Sequence, residues 1–149
     1  MGAVFADIEL VNYADQILAD AGVPAAVGIR RKVVEVLVDS GATVLVIPDS
    51  LRDELGLGTI GRRVVGIADG STLECDLVGP VEVRFAGRST VGNAVARPGN
   101  VQILLGQVQM EEMDLIVDSL ARKLIPNPAS PDRARLMAVG VRLHGPPRA

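Results

Sequence analysis

Cysteine and histidine each occur once in this 149-residue chain, as Cys75 and His144, and tryptophan does not occur at all. A lone cysteine cannot form an internal disulfide, and with one histidine it cannot assemble the usual zinc ligand sets. No metal and no cofactor is therefore expected, and a reducing, cytoplasmic setting fits best. Aromatic residues make up 2% of the chain and the net charge is −3 without a basic block. A protein that stacks bases and neutralises phosphates needs both features, so a nucleic-acid partner is not expected. No apolar run approaches the roughly 20 residues that span a bilayer, and no basic segment followed by an apolar stretch opens the chain. Met1-Gly2 begins as a myristoylation signal does, but Ala6 stands where Ser or Thr is needed. No membrane attachment is expected.

What is abundant is aliphatic. Hydrophobic side chains make up 48% of the residues, enough for the core of one domain and too few residues for two. A core of Val, Leu, Ile and Ala suits β-sheets, and the local patterns agree. Val4 to Asn12 alternates apolar with polar residues, the period of a half-exposed strand, read here as an edge or interface strand. Tyr13 to Gly22 reads as a short helix or wide loop stopped by Gly22 and Pro24. Residues 51–56 form a short helix that Asp49 or Ser50 caps and Gly56 ends. Residues 56–61, Gly-Leu-Gly-Thr-Ile-Gly, spell the dinucleotide fingerprint, but they follow a helix and open a strand, the reverse of the context that motif requires. Arg62–Ala68 and Thr72–Leu77 flank Asp69-Gly70-Ser71 and read as a hairpin. Gly79-Pro80 breaks the chain; Val81–Phe85 and Thr90–Ala96 are strands about a turn at residues 86–88. Residues 101–106 form an apolar strand. A short helix over residues 107–113 follows, turning Val108 and Met110 or Met113 toward the body, and then a strand over residues 115–118. Asn127 to Pro131 is turn-rich, and Leu136–Leu143 is one more possible strand. The fold class is all-β with one or two short helices.

The stretch with chemical content is residues 33–48. Val33–Val38 is a β-branched run, Ser40-Gly41-Ala42 a turn of small residues, and Thr43–Ile47 a second run stopped by Pro48. Asp39 sits at the junction. Burying an unpaired carboxylate costs several kcal/mol or raises its pKa, so the chain must supply donors, a partner charge or a shared proton. The Gly41 amide and Ser40 hydroxyl are candidate donors. Taken by itself, Asp-Ser-Gly is also ordinary turn chemistry.

With its flanks, Leu37-Val38-Asp39-Ser40-Gly41-Ala42-Thr43 resembles the active-site loop of retropepsin-like aspartic peptidases. Ile103-Leu104-Leu105-Gly106 resembles that family's second signature, an apolar strand beside the catalytic loop whose glycine permits close backbone approach. The resemblance runs from about residue 35 to 125. It implies a single-lobe acid protease barrel over residues 1–126, with its core at 33–125 and a tail at 127–149 that either lies disordered or adds a strand at a dimer interface. It implies Asp39 as the catalytic residue, Ser40, Gly41, Ala42 and Thr43 as its loop, and the hairpin turn Ile67, Ala68, Asp69, Gly70 and Ser71 as a flap over the substrate, less glycine-rich than viral flaps. Val117-Asp118-Ser119 copies the start of the active-site triplet, but Leu120 replaces the glycine, so Asp118 reads as a turn residue and one catalytic Asp remains.

Amide hydrolysis needs a base to activate water and an acid to protonate the leaving nitrogen, and two carboxylates sharing one proton provide both. One Asp per chain therefore implies a homodimer acting on an extended peptide. Two other readings stay open. One is an inactive peptide-binding or dimerisation module of the same fold. The other is a serine hydrolase through Ser40, which lacks a base unless His144 supplies one.

Overall fold

The computed structural model describes residues 2–25 and 27–138. In chain order the elements are β1 (Phe5–Asn12), α1 (Tyr13–Asp20), β2 (Arg31–Val38), β3 (Leu45–Pro48), α2 (Asp49–Leu55), β4 (Gly58–Gly66), β5 (Thr72–Phe85), β6 (Arg88–Arg97), β7 (Leu104–Leu105), α3 (Gln107–Glu112), β8 (Leu115–Asp118) and β9 (Lys123–Pro126). The main sheet runs β1-β2-β7-β3-β6-β5-β4, and a further pairing of β1 with β5 closes six of these strands into a barrel, leaving β4 outside the ring. The chain is mainly β, as its composition predicts.

The barrel closes because β1 is paired on both sides. Phe5 to Val11 run antiparallel to Leu37 to Arg31, while Glu9 to Asn12 run antiparallel to Arg84 to Val81. The strand read as an edge or interface strand is thus paired with a strand of this chain on each side. Its alternation holds, with Ile8 and Leu10 buried and Phe5 and Glu9 turned outward, but periodicity reports faces and says nothing about edges. The core contains Ile8, Leu10, Val36, Leu45, Ile47, Val78, Val83 and Leu105, the aliphatic set that a chain poor in aromatics must use.

β5 passes through Gly79-Pro80, where the sequence suggests a break. The pairing with β6 shifts register between Val78 and Val81, which accommodates a proline that has no amide to donate. One strand of 14 residues then serves three neighbours, β6 on one edge and, on the other, β4 along its first half and β1 along its second.

The segment between β1 and β2 contains a helix, α1, fastened at its amino-terminal end. Asn12 Oδ1 accepts from the Asp15 amide, capping α1, while its Nδ2 donates to Leu55 O at 2.9 Å at the end of α2. Asp15 takes both the backbone amide and the guanidinium of Arg30 at about 3 Å, and the Arg30 guanidinium holds its carboxyl below the usual range. α2 starts at Asp49 without a side-chain cap, so neither Asp49 nor Ser50 plays the expected capping role; Pro48 takes that position and presets the entry of the chain. Gly56 ends the helix in the left-handed conformation, as expected.

β8 and β9 form a separate antiparallel ribbon. Behind it, Asp114 accepts from Asn127 Nδ2 and the Arg135 amide, both at 3.0 Å, and from the Ser130 hydroxyl. Buried Arg88 donates to the carbonyls of Met113, Asp114 and Ser130. Residues 127–135 are thereby tied to the body. No strand is present at residues 136–138, and the remainder of the 136–143 strand reading, with His144, lies outside the described residues.

Candidate active site

Asp39 is the first residue after β2, at the point where β2 meets β7. These two strands run parallel, Leu37 beside Leu104 and Val38 beside Leu105. Leu37 N donates to Ile103 O at 2.9 Å, and Asp39 N to Leu105 O at 3.0 Å. On the other side Val38 N donates to Val4 O at 2.8 Å. The backbone that carries the carboxylate is therefore held from two directions. Because the resemblance places both signatures at one centre, it matters that the structure brings 39–43 and 103–106 together by main-chain hydrogen bonds.

The loop that follows is fixed by α3. A helix begins with amides that have no partner inside it. Here Gln107 N donates to Ala42 O at 2.8 Å, and Val108 N to Thr43 O at 3.1 Å. The strand expected from Thr43 begins only at Leu45 for this reason, since the carbonyls of Ala42 and Thr43 are committed to α3. Gly106 sits between. A Cβ there would lie 2.7 Å from the backbone N, C and O of Val44, closer than any side chain tolerates. The close approach that the second signature requires is thus a contact between Gly106 and the loop's exit.

α3 is rotated from its expected setting. Met110 and Met113 face inward, but Val108 is 37% exposed and Gln109 is 5% exposed. The two hydrogen bonds at its first turn fix the rotation and override the apolar pattern.

Asp39 itself is half-buried, with Ser40, Gly41 and Thr43 exposed around it. Its Oδ1 accepts the Gly41 amide at 2.8 Å, and its main-chain carbonyl accepts from Ala42 at 3.1 Å. A side chain on Gly41 would stand 3.1 Å from Oδ1, so a glycine there keeps the carboxylate clear. Among the described residues no hydrogen bond reaches Asp39 Oδ2. The Ser40 hydroxyl, a candidate donor to the carboxylate, makes no such bond among the described residues.

The candidate flap is the turn between β4 and β5. Ile67 N donates to Ser71 O and Gly70 N to Ile67 O, each at 2.9 Å. Asp69 Oδ1 accepts the Ser71 amide at 2.8 Å together with its hydroxyl, and the hydroxyl first, then the amide, hold the Asp69 carboxyl below the usual range. Ala68, Asp69, Gly70 and Ser71 are exposed and Ile67 is half-buried. No hydrogen bond joins this turn to the Asp39 loop among the described residues. The link is apolar and lies at the hairpin's base, where Val65, Leu73 and Val44 pack on buried Cys75, Leu77 and Val95. Arg62 spans the hairpin to Glu74 at 2.9 Å and Asp76 at 2.8 Å.

Asp118 stands apart from this centre. Its Oδ1 accepts the amides of Leu120 and Ala121, each at 3.1 Å, which is turn chemistry at the tip of the β8–β9 ribbon. No group of three or more His, Cys, Asp or Glu able to hold a metal occurs among the described residues, and no helix there is long and apolar enough to cross a membrane. Sequence reasoning missed Asn12 as the residue that joins α1 to α2; an Asn directly before a helical segment was the signal.

A family model described as aspartyl protease matches residues 23–108. That span takes in the Asp39 loop, the 67–71 turn and the 103–106 segment, and ends in the first turn of α3. No curated protein matches the chain.

Proposed function

The chain belongs to the aspartyl protease family, and from that premise we propose that it is an aspartic endopeptidase whose active centre is a pair of Asp39 carboxylates, one from each subunit of a homodimer. The observation that carries this reading is the state of Asp39. One carboxylate oxygen is fixed by the Gly41 amide on a rigid frame, and the other has no hydrogen-bond partner among the described residues.

Two such groups facing each other across a two-fold axis, about 3 Å apart, cannot both ionise. One proton is shared, and the pair titrates as a unit with one apparent pKa raised and one lowered. The ionised member takes a proton from water as it attacks the peptide carbonyl; the protonated member supports the developing oxyanion and the proton reaches the leaving nitrogen. The Gly41 amide of each subunit holds its carboxylate in place, and the 67–71 turn covers an extended peptide and excludes water. The aliphatic surroundings favour apolar side chains about the cut.

The test uses Asp39→Asn. The variant should fold and dimerise like the parent, and cleavage of a peptide pool should fall by about 10³-fold or more. A statine-type mimic should inhibit the parent, and serine-directed phosphonates should not. Equal cleavage by both proteins, or cleavage by a species that sedimentation shows to be strictly monomeric, would end the proposal. A parent that dimerises and binds peptides without cutting them would assign the fold to a binding module instead.

A further inference from the structure

Residues 131–138 contain no helix, strand or hydrogen-bonded turn, and all of them are exposed except half-buried Ala134. Among the described residues a single hydrogen bond ties this stretch to the body, from the Arg135 amide to Asp114 Oδ2 at 3.0 Å. Directly after that tie stand Leu136, 64% exposed, and Met137, 81% exposed.

Large apolar side chains gain most from burial, and soluble surfaces scatter the exceptions singly. Two exposed ones stand side by side at one other place among the described residues, Ile17-Leu18, and that pair lies inside α1, where the backbone is closed into a helix. Leu120 is more exposed still, but Asp118 closes the turn around it. Val23 and Val27 lie on a loop held at both ends, by the bond from Val23 N to Leu18 O and by that from Arg30 N to Asp15.

A cleft that binds its peptide by strand-like backbone pairing needs an extended chain. A helix, a closed turn or a loop tied at both ends cannot supply one without local unfolding, and an exposed segment with few backbone bonds can. Residues 131–138 reach that form at the loss of one hydrogen bond. Arg88 still holds the Ser130 carbonyl, so the barrel and the β8–β9 ribbon stay closed when Arg135 lets go.

We infer that this segment is itself a substrate of the Asp39 centre, which cuts the chain between Leu136 and Met137. The inference rests on the cleavage reading above and names a substrate for it. Water adds across the amide: the C–N bond breaks, the water oxygen joins the carbonyl carbon to make a new Leu136 carboxylate, and Met137 leaves as a free amine carrying the transferred proton. Leu136 and Met137 are the apolar side chains that aliphatic surroundings favour about the cut.

The experiment incubates the purified full chain under the conditions in which it cuts a peptide pool and follows its intact mass. The parent should shorten to residues 1–136 and release residues 137–149, whereas Asp39→Asn should keep its full mass. Leu136→Asp places a charge where the cleft requires an apolar side chain. Because Leu136 is exposed, this variant should keep the parent's urea midpoint and its activity on the pool, while loss of its own tail slows by about 100-fold or more. A parent that cuts the pool and keeps its full mass overturns this inference and leaves the cleavage reading standing; a parent that does neither ends both. Shortening that persists in Asp39→Asn, a first cut at another bond, or equal shortening of Leu136→Asp would also overturn it.

Discussion

Two short turns carry the candidate active site, and they are held in opposite ways. The 39–43 loop is fixed by main-chain hydrogen bonds to β7 and to the first turn of α3, with Gly106 pressed against Val44. Among the described residues the 67–71 turn is fixed only by its own bonds and by Asp69, and nothing lies within 4 Å of where a side chain on Gly70 would point. A catalytic carboxylate has to be positioned to a fraction of an ångström, whereas a cover has to open. Rigidity and freedom are therefore placed on different sides of one small apolar cluster, that of Cys75, Leu77 and Val95.

The largest expected effect tests the rigid side. In Gly106→Ala the new methyl meets backbone on three atoms at 2.7 Å, which no rotamer relieves. Destabilisation of at least about 3 kcal/mol is expected by urea unfolding; a loss under about 1 kcal/mol would show that β7 and the loop slide apart freely.

Gly70→Ala is the matching test on the open side. The position has φ +86° and no steric neighbour, so only the conformational cost remains, about 1 kcal/mol. A cost as large as that of Gly106→Ala would erase the contrast.

Acid sharpens the comparison further. Asp114 and Asp69 both have lowered pKa values, Asp114 through the Ser130 hydroxyl first and then Asn127, and Asp69 through Ser71. Each therefore stabilises the segment it closes, fully above the ordinary carboxylate range near about pH 4 and less as the pH falls below it. Asp114 lies where residues 127–135 join the body, so Asp114→Asn should flatten the acid limb of the urea midpoint against pH. Its left-handed backbone, φ +54°, suits asparagine. Asp69→Asn should leave that midpoint in place and only speed hydrogen exchange at Ile67, Gly70 and Ser71, the smallest of these effects. A shift of the global midpoint by Asp69→Asn would show that the turn is part of the cooperative unit.

Much of this arrangement is legible in residue order because it depends on neighbours in sequence. Alternation marks β1, the β-branched run marks β2, Asp-Gly marks the hairpin and Gly56 marks the end of α2. What was not legible depends on distant partners. The rotation of α3, which buries Gln109 and exposes Val108, follows from carbonyls more than sixty residues upstream, Ala42 and Thr43. The continuity of β5 through Pro80 follows from strands on both sides, whose pairing outweighs a local breaker.

By itself the sequence determined a β-rich domain with an aliphatic core and an acid set in a turn of small residues between two apolar runs, since side-chain volume and period are properties of the residues themselves. Only the tertiary structure decided that β1 closes the barrel and that Gly106 must be a glycine because Val44 lies against it. Those facts are set by which backbone meets which, and hydrogen-bond partners far apart in the chain are not encoded in any local pattern.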